Sequence, residues 1–178
     1  MENNKIACIE QATNFESLVK FSSGLIKSGF LPQAVNTPEA GEPEYFLFAS
    51  DSVVNVVNTT TGAATLLFAD NSFYNINSLA YDPYHSIVYY TDDEYLTGNN
   101  KTIYKYSVKT GVISTFISDV TASPYNMILS DEGLGSGGAT FYNGSLFIGV
   151  ETKTDGDAAS AYRIDFAGDG VTPIGASQ

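Results

Sequence analysis

The sequence predicts a mainly β fold in which short antiparallel strands repeat along the chain, preceded by one N-terminal α-helix. From residue 44 onward, alternating or apolar runs recur between turn residues, which is the pattern of strands in antiparallel sheets. The 178 residues include 16 Gly and 12 Tyr but only 16% charged residues, a composition that favours an all-β domain with many turns. Before residue 44, apolar residues recur at helical spacing instead.

Residues 1–43 are predicted to be an N-terminal helical segment and linker, and residues 44–178 a β domain. An apolar stripe at spacings of three and four predicts a helix over residues 14–28; the stripe consists of Phe15, Leu18, Val19, Ser22, Leu25 and Ile26. Thr13 and Glu16 have the spacing of a capping box, and Gly29 suits the C-terminal cap. The stripe is expected to dock on the neighbouring sheet rather than on a partner.

The predicted strands of the β domain fall into three units that align with one another. The strongest runs of the three units span residues 45–51, 87–93 and 146–151. Two further runs follow each of them, at 53–57 and 64–68, at 102–108 and 112–116, and at 161–165 and 171–174. A leading strand precedes the second and third units, at 77–81 and 138–142. Gly62, Gly111 and Gly170 mark the last turn of each unit, and Asn143-Gly144 is the signal of a two-residue hairpin.

The second unit contains Tyr89-Tyr90-Thr91-Asp92 and, later, Lys109-Thr110-Gly111, and in this pattern it resembles blades of YWTD-type and related bacterial β-propellers. Tyr90 stands where the family pattern has Trp. In the third unit, Gly137-Gly138-Ala139-Thr140-Phe141 is similar to the same blade in bacterial surface proteins. The resemblance covers residues 45–178 and implies about three four-stranded antiparallel blades, an incomplete propeller. It implies no chemistry, because propellers host many unrelated activities.

Residues 14–39 resemble the opening of small phage-encoded proteins found near single-strand-annealing recombination genes. The matching stretches are Asn14-Phe15-Glu16-Ser17-Leu18-Val19-Lys20-Phe21, Leu25-Ile26-Lys27-Ser28-Gly29-Phe30-Leu31-Pro32 and Thr37-Pro38-Glu39. Those proteins continue with a second long helix, whereas Gly41-Glu42-Pro43 ends the second helix signal at once in this sequence. The resemblance implies a phage or prophage origin, and the function of those proteins is not carried over.

Three blades are too few to close a ring, because propellers close with four to eight. The first blade also lacks a leading strand, since a segment rich in Pro and Gly precedes Tyr45. An open stack exposes apolar faces and strand edges, which favour pairing with another chain. Three outcomes stay open: copies or a partner complete the ring, the helix of residues 14–28 covers the exposed face, or the sequence is a fragment of a longer protein.

Eleven of the 15 acidic residues after residue 43 are predicted to lie on one rim of the blades; they are Asp51, Asp70, Asp92, Asp93, Glu94, Asp119, Asp131, Glu132, Glu151, Asp155 and Asp157. Calcium is bound by oxygen ligands, often carboxylates two residues apart around a Gly. The candidate metal ligands are therefore Asp92, Asp93, Asp155 and Asp157, although the rest of an EF-hand loop is missing. An acidic rim also arises from solubility alone. One His and one Cys in the chain argue against zinc.

No catalytic or cofactor-binding residue is assigned from the sequence. His85 falls in a predicted turn on the rim opposite the acids, where an exposed structural role is expected rather than that of a general base. The net charge of −12 argues against a nucleic-acid-binding face, because such faces are basic. No apolar stretch suits a transmembrane helix or a signal peptide, which fits a cytoplasmic or virion-associated protein, or an exported one whose signal is absent from this sequence.

The first functional hypothesis is a non-catalytic binding or assembly module that self-associates or is completed by a protein partner. A phage or bacterial surface structure is the expected setting. The second hypothesis is a cation-dependent enzyme of the propeller type, with carboxylates of the acidic rim holding the metal. The third is a carbohydrate-binding module that uses Tyr side chains on the same rim.

Overall fold

The computed structural model of the protein describes residues 45–73, 75–92, 100–129, 133–134, 138–150 and 160–178. Eleven strands are present in these residues, as the sequence predicts, and all their pairings are antiparallel. The predicted helix at residues 14–28 and the predicted domain boundary before residue 44 lie outside the described residues. Within the described ranges, no helix is long and apolar enough to cross a bilayer.

The strands form three separate sheets, and each is a meander in which sequence neighbours are also spatial neighbours. The first sheet contains β1 (Tyr45–Ser50), β2 (Val53–Asn58) and β3 (Ala64–Ala69). The second contains β4 (Ile76–Asp82), β5 (Ile87–Asp92), β6 (Ile103–Ser107) and β7 (Val112–Ile117). The third contains β8 (Ala139–Tyr142), β9 (Ser145–Val150), β10 (Ser160–Phe166) and β11 (Pro173–Ser177). The prediction of a mainly β fold is confirmed.

The last strand begins two residues later than the sequence predicts. The last run was expected at residues 171–174, but β11 begins at Pro173. The carboxylate of Asp169 accepts hydrogen bonds from the backbone N–H groups of Val171 and Thr172, both at 2.9 Å. Those two donors are therefore engaged in the turn, and the chain joins the sheet only after them.

The turn residues take the backbone conformations that the sequence predicts. Gly62, Gly111 and Gly170 have φ angles of 67°, 69° and 69°, so the last turn of all three units has the same left-handed residue. Asn143 and Gly144 both have positive φ, 51° and 78°, as the two-residue hairpin turn between β8 and β9 requires. These shared conformations support the alignment of the three units.

The sheets stack face to face, with the second sheet in the middle. All six residues of β5 are buried, because each face of this strand packs on a different neighbour. Val88 and Tyr90 belong to the core shared with the first sheet, whereas Ile87 and Tyr89 belong to the core shared with the third. The two apolar cores thus lie on the two sides of one strand, as expected for a sheet that is covered on both faces.

Aromatic rings fill both contacts between sheets. Phe68 of the first sheet stacks on Tyr106 of the second, with their ring centroids 4.3 Å apart. Between the second and third sheets, the ring centroid of Phe166 lies 5.7 Å from that of Phe116 and 6.0 Å from that of Tyr89. Each such pair contributes about 0.5–1.5 kcal/mol beyond the area that it buries. The aromatic content of the sequence is therefore used mainly to hold one sheet on the next.

Candidate functional site

In the first and second sheets, described residues of the loops that carry the predicted acidic rim meet at one end of each sheet. In the first sheet, the loop after β3 reaches the turn between β1 and β2, since the backbone N–H of Asp70 donates to the carbonyl of Ser52 at 2.8 Å. In the second sheet, the N–H of Val120 donates to the carbonyl of Lys101 at 3.0 Å, which joins the corresponding loops. The side chains of Asp51, Asp70, Asp92 and Asp119 are those of the predicted rim that fall within the described residues.

Two of these carboxylates already accept hydrogen bonds from other groups of the protein. Asp70 is only 7% exposed and accepts hydrogen bonds from the hydroxyl of Tyr90 and the backbone N–H of Ser72, at 2.8 and 3.2 Å. Asp119 accepts hydrogen bonds from the hydroxyl and the backbone N–H of Thr121, which hold the pKa of this carboxyl below its usual value. Asp70, which the sequence predicts to lie on the acidic rim, is therefore buried rather than open to solvent.

The predicted metal site cannot be assembled from the described residues. Asp92 ends β5 with 8% of its surface exposed, and its backbone carbonyl accepts a hydrogen bond from the side-chain amide of Asn100. Asp93, Asp155 and Asp157 lie outside the described residues. Among the residues that the structure describes, there is no group of three or more His, Cys, Asp or Glu side chains that could hold a metal ion. Calcium binding by the four predicted residues stays a prediction, as do the enzyme and carbohydrate-binding hypotheses.

His85 lies in the turn between β4 and β5, where the sequence places it, but it is more enclosed than expected. Its Nδ1 lies 2.7 Å from Oδ2 of Asp82, whose side chain is fully buried, and 33% of the His85 side chain is exposed. The ring also packs on the backbone of Gly170, where the Cβ of any larger residue would lie 2.6 Å from the ring Cε1. His85 therefore connects a turn of the second sheet to a turn of the third.

The outer face of the first sheet, on the side away from the second sheet, is the feature that packing within the described residues does not explain. Nine residues form this face in three cross-strand rows: Phe46, Val57 and Ala64; Phe48, Asn55 and Leu66; Ser50, Val53 and Ala69. None of the nine is charged, in a chain with 28 charged side chains, 20 acidic and 8 basic. Phe46, Phe48 and Leu66 are 50%, 52% and 54% exposed. We call these nine residues the open face.

An apolar cleft lies beside the open face. Its volume is about 300 Å³, and residues of all three sheets line it, among them Tyr45, Leu47, Tyr81 and Phe141. Phe46 of the open face also lines it, so the apolar surface continues around the free edge of β1. Contiguous exposed apolar surface marks sites of association with proteins or membranes, or grooves that bind ligands.

The sequence contains a signal for the open face that the prediction did not use. In β1, apolar residues occupy both alternating sets of positions, as they do in β5. A strand of this type is normally covered on both faces, yet the described residues cover only one face of β1. Counting apolar residues on each face separately shows that β1 is apolar on both sides, and the structure shows that the side with Phe46 and Phe48 is the uncovered one.

No family model matches the chain, and no curated protein matches it. Among solved structures, the chain is similar to the crystal structure of TolB from Acinetobacter baumannii, at 12% sequence identity and with a TM-score of 0.43. The match covers 70% of this chain and 27% of that one, so the chain spans about a quarter of the length of the protein it matches.

Proposed function

We propose that this protein is a non-catalytic binding and assembly module, built as an open, propeller-like stack of sheets that associates with another polypeptide through the open face. The observation that carries the proposal is the half-exposed, uncharged surface around Phe48 and Leu66. Burying two such side chains removes apolar surface from water at about 25 cal/mol per Å², which favours association. A role in a phage or bacterial surface structure remains part of this hypothesis.

Two of the four described acidic residues of the rim favour this function over chemistry on the rim. Asp70 is buried against Tyr90, and Asp119 is engaged by Thr121, so both carboxylates already have partners within the fold. A carboxylate with satisfied hydrogen bonds gains less from an incoming cation or substrate than one that is open to solvent. The open face has no such internal partners among the described residues.

The proposal is tested by the solution mass of the full chain, measured by light scattering over a range of concentrations. We expect a mass above 19.1 kDa that falls towards this value on dilution. Leu66→Ser should weaken the association, because it removes apolar surface from the open face. Val112→Ser is the matched control: Val112 is 55% exposed, against 54% for Leu66, but it lies on β7 of the second sheet.

Two results would overturn the proposal. One is a monomer at every concentration up to about 100 μM, which corresponds to association weaker than about 5.5 kcal/mol. The other is an assembly that Val112→Ser and Leu66→Ser weaken equally, since association would then not depend on the open face.

A further inference from the structure

The three sheets carry equivalent residues at equivalent positions, and this equivalence indicates what kind of surface covers the open face. The second strand of each aligned unit is β1, β5 or β9. In β5 the side chains that face the preceding sheet are Val88 and Tyr90, both 0% exposed, and in β9 they are Leu146 and Ile148, at 1% and 2%. Phe46 and Phe48 occupy the same two positions of β1 but are half exposed.

In β5 and in β9, the side chains that face the preceding sheet are buried by that sheet. Val88 and Tyr90 are buried by the first sheet, which contributes Val54 and Phe68 to the shared core. Leu146 and Ile148 are buried by the second sheet, which contributes Tyr89 and other apolar residues. In each case, one antiparallel sheet lies flat on the next. The surface that fits the open face is therefore the outer side of another such sheet.

The third sheet also has an outer side that the described residues leave uncovered. On the side away from the second sheet, it presents Thr140 opposite Phe147, and Phe147 opposite Arg163. Tyr142 lies on the same side and is 60% exposed. Phe147 stands at the position that Tyr89 holds in β5. We call this surface the terminal face.

The charges on the terminal face are already compensated. Nε of Arg163 lies 2.9 Å from a carboxylate oxygen of Asp165, and the hydroxyl of Ser145 donates to the same carboxylate at 2.9 Å. An ion pair that enters an interface with its partners in place carries a smaller desolvation penalty than an unpaired charge. The terminal face can therefore be covered without leaving a single charge buried alone.

We propose that the open face of one copy packs on the terminal face of a second copy, and that the second copy does the same in return, so that two chains close a ring of six sheets. Three sheets from each copy give six, which lies within the four to eight that closed propellers contain. The two contacts are related by a two-fold axis, so the dimer leaves neither face uncovered. This inference rests on the proposed function and names its partner as the chain itself.

A second copy explains more of the structure than the predicted helix at residues 14–28 does. A single helix can cover one face only, and the described part of the chain has two uncovered faces on opposite sides of the stack. Reciprocal packing covers both at once and repeats a contact that the chain already makes twice.

The test uses two full-chain variants that each disable one face. Phe48→Glu places a charge on the open face, and Tyr142→Glu places one on the terminal face; both side chains are more than half exposed, so folding should be little affected. Sedimentation should give twice 19.1 kDa for the unmodified chain and a monomer for each variant alone. An equimolar mixture of the variants should recover a dimer. The open face of the Tyr142→Glu variant and the terminal face of the Phe48→Glu variant are both intact, so these two faces can still pair. Circular dichroism and thermal unfolding of each variant check that it is folded.

The outcomes separate this inference from the proposed function. If Phe48→Glu gives a monomer but Tyr142→Glu stays as heavy as the unmodified chain, the open face associates with something other than the terminal face, and only the ring is overturned. A mass that keeps rising with concentration indicates an open filament, which also overturns the ring alone. If the unmodified chain is monomeric, both proposals fail. Folded variants that stay monomeric when mixed contradict the reciprocal pairing.

Discussion

The hydroxyl of Tyr90 donates a hydrogen bond to Oδ2 of Asp70 at 2.8 Å, within the contact between the first and second sheets. Both residues are buried, and they lie 20 positions apart in the sequence. The phenolic hydroxyl of Tyr90 supplies the donor that the buried carboxylate of Asp70 needs. The hydrogen bond thus joins β5 of the second sheet to the loop that follows β3 of the first sheet.

Removing this hydroxyl should destabilise the fold. Tyr90→Phe leaves Oδ2 of Asp70 buried without its donor, and we expect a loss of about 1–3 kcal/mol in the free energy of unfolding. Urea denaturation followed by circular dichroism measures the change, provided that the dependence on urea concentration is the same for both proteins.

The neighbouring Tyr89 provides the control for this prediction. Its hydroxyl is also buried but has no hydrogen-bond partner among the described residues. Tyr89→Phe removes the same atom from the same strand, and it should change stability little or increase it slightly. Equal losses for the two variants would contradict the role assigned to the Tyr90–Asp70 hydrogen bond.

Stability should fall steeply in alkaline solution. Burial raises the pKa of Tyr89, Tyr90 and Tyr106 above the ordinary value of 10.0, and the carboxylate of Asp70 raises that of Tyr90 further. A raised pKa means that the folded protein keeps these protons while the unfolded chain loses them. The stabilisation is therefore complete below about pH 10 and is lost above it, at about 1.4 kcal/mol per pH unit for each tyrosine that stays protonated in the fold.

Urea unfolding measured between pH 9 and pH 11 tests this alkaline loss, with tyrosinate absorbance recorded in parallel. Ionisation of the buried tyrosines should coincide with loss of the circular dichroism signal. Tyr89→Phe should make the decline shallower, because one linked proton is removed. Stability that stays constant across this range would contradict the burial of these hydroxyl groups.

The strands could be predicted from sequence because their signals are local. Each strand has its own alternation, and the turns contain residues suited to positive φ, such as Gly62 and Asn143. The fate of individual acids depends on distant partners instead. Nothing near Asp70 in the sequence indicates that Tyr90 will bury it, and nothing near His85 indicates that the ring will pack on Gly170.

The open face was missed for a different reason. Alternation shows that β1 is apolar on both sides, but it does not show which sides the rest of the chain covers. Phe48 and Tyr90 look alike in the sequence, and only the stacking order of the sheets makes one half exposed and the other buried. The sequence predicts how many sheets there are, but only the structure shows which face of which sheet is left uncovered.

Adding a methyl group at Gly170 should destabilise the contact between the second and third sheets. Its Cβ would lie 2.6 Å from Cε1 of His85, and the ring is held in place by Asp82. Gly62 is the matched control, because it has nearly the same φ angle, 67° against 69°, but open space around it. We expect Gly62→Ala to cost about 1–2 kcal/mol through its backbone conformation alone, and Gly170→Ala to cost more.

A double variant separates the two causes. In the His85→Ala background, Gly170→Ala should lose its extra cost and approach the cost of Gly62→Ala, because the obstructing ring is gone. Chemical denaturation of the four proteins of this cycle gives the coupling energy. A coupling energy of zero would contradict the contact between His85 and Gly170.

The pKa of Asp169 should depend on Thr172. Hydrogen bonds from the hydroxyl of Thr172 and from the backbone N–H groups of Val171 and Thr172 lower the pKa of this carboxyl from 3.8 to about 2. The stabilisation that this gives is present above about pH 4 and is lost as the pH falls through the lowered pKa. Thr172→Ala should move the pKa of Asp169 up towards 3.8, as measured by NMR titration of the carboxyl carbon. An unchanged pKa would show that the backbone donors alone account for the shift.

Salt should strengthen the association between copies. Each chain carries a net charge of −12, so two copies repel each other, while the open face has no charged residue to form an attractive pair. Raising the ionic strength from about 0.05 to about 0.5 M shortens the screening length to a few ångströms and weakens this repulsion. The dissociation constant from sedimentation should therefore fall severalfold across this range. Phe48→Glu should remain monomeric throughout, which excludes salt-induced aggregation as the cause. A dissociation constant that rises with salt would instead indicate that ion pairs between the chains hold them together, which the uncharged open face does not predict.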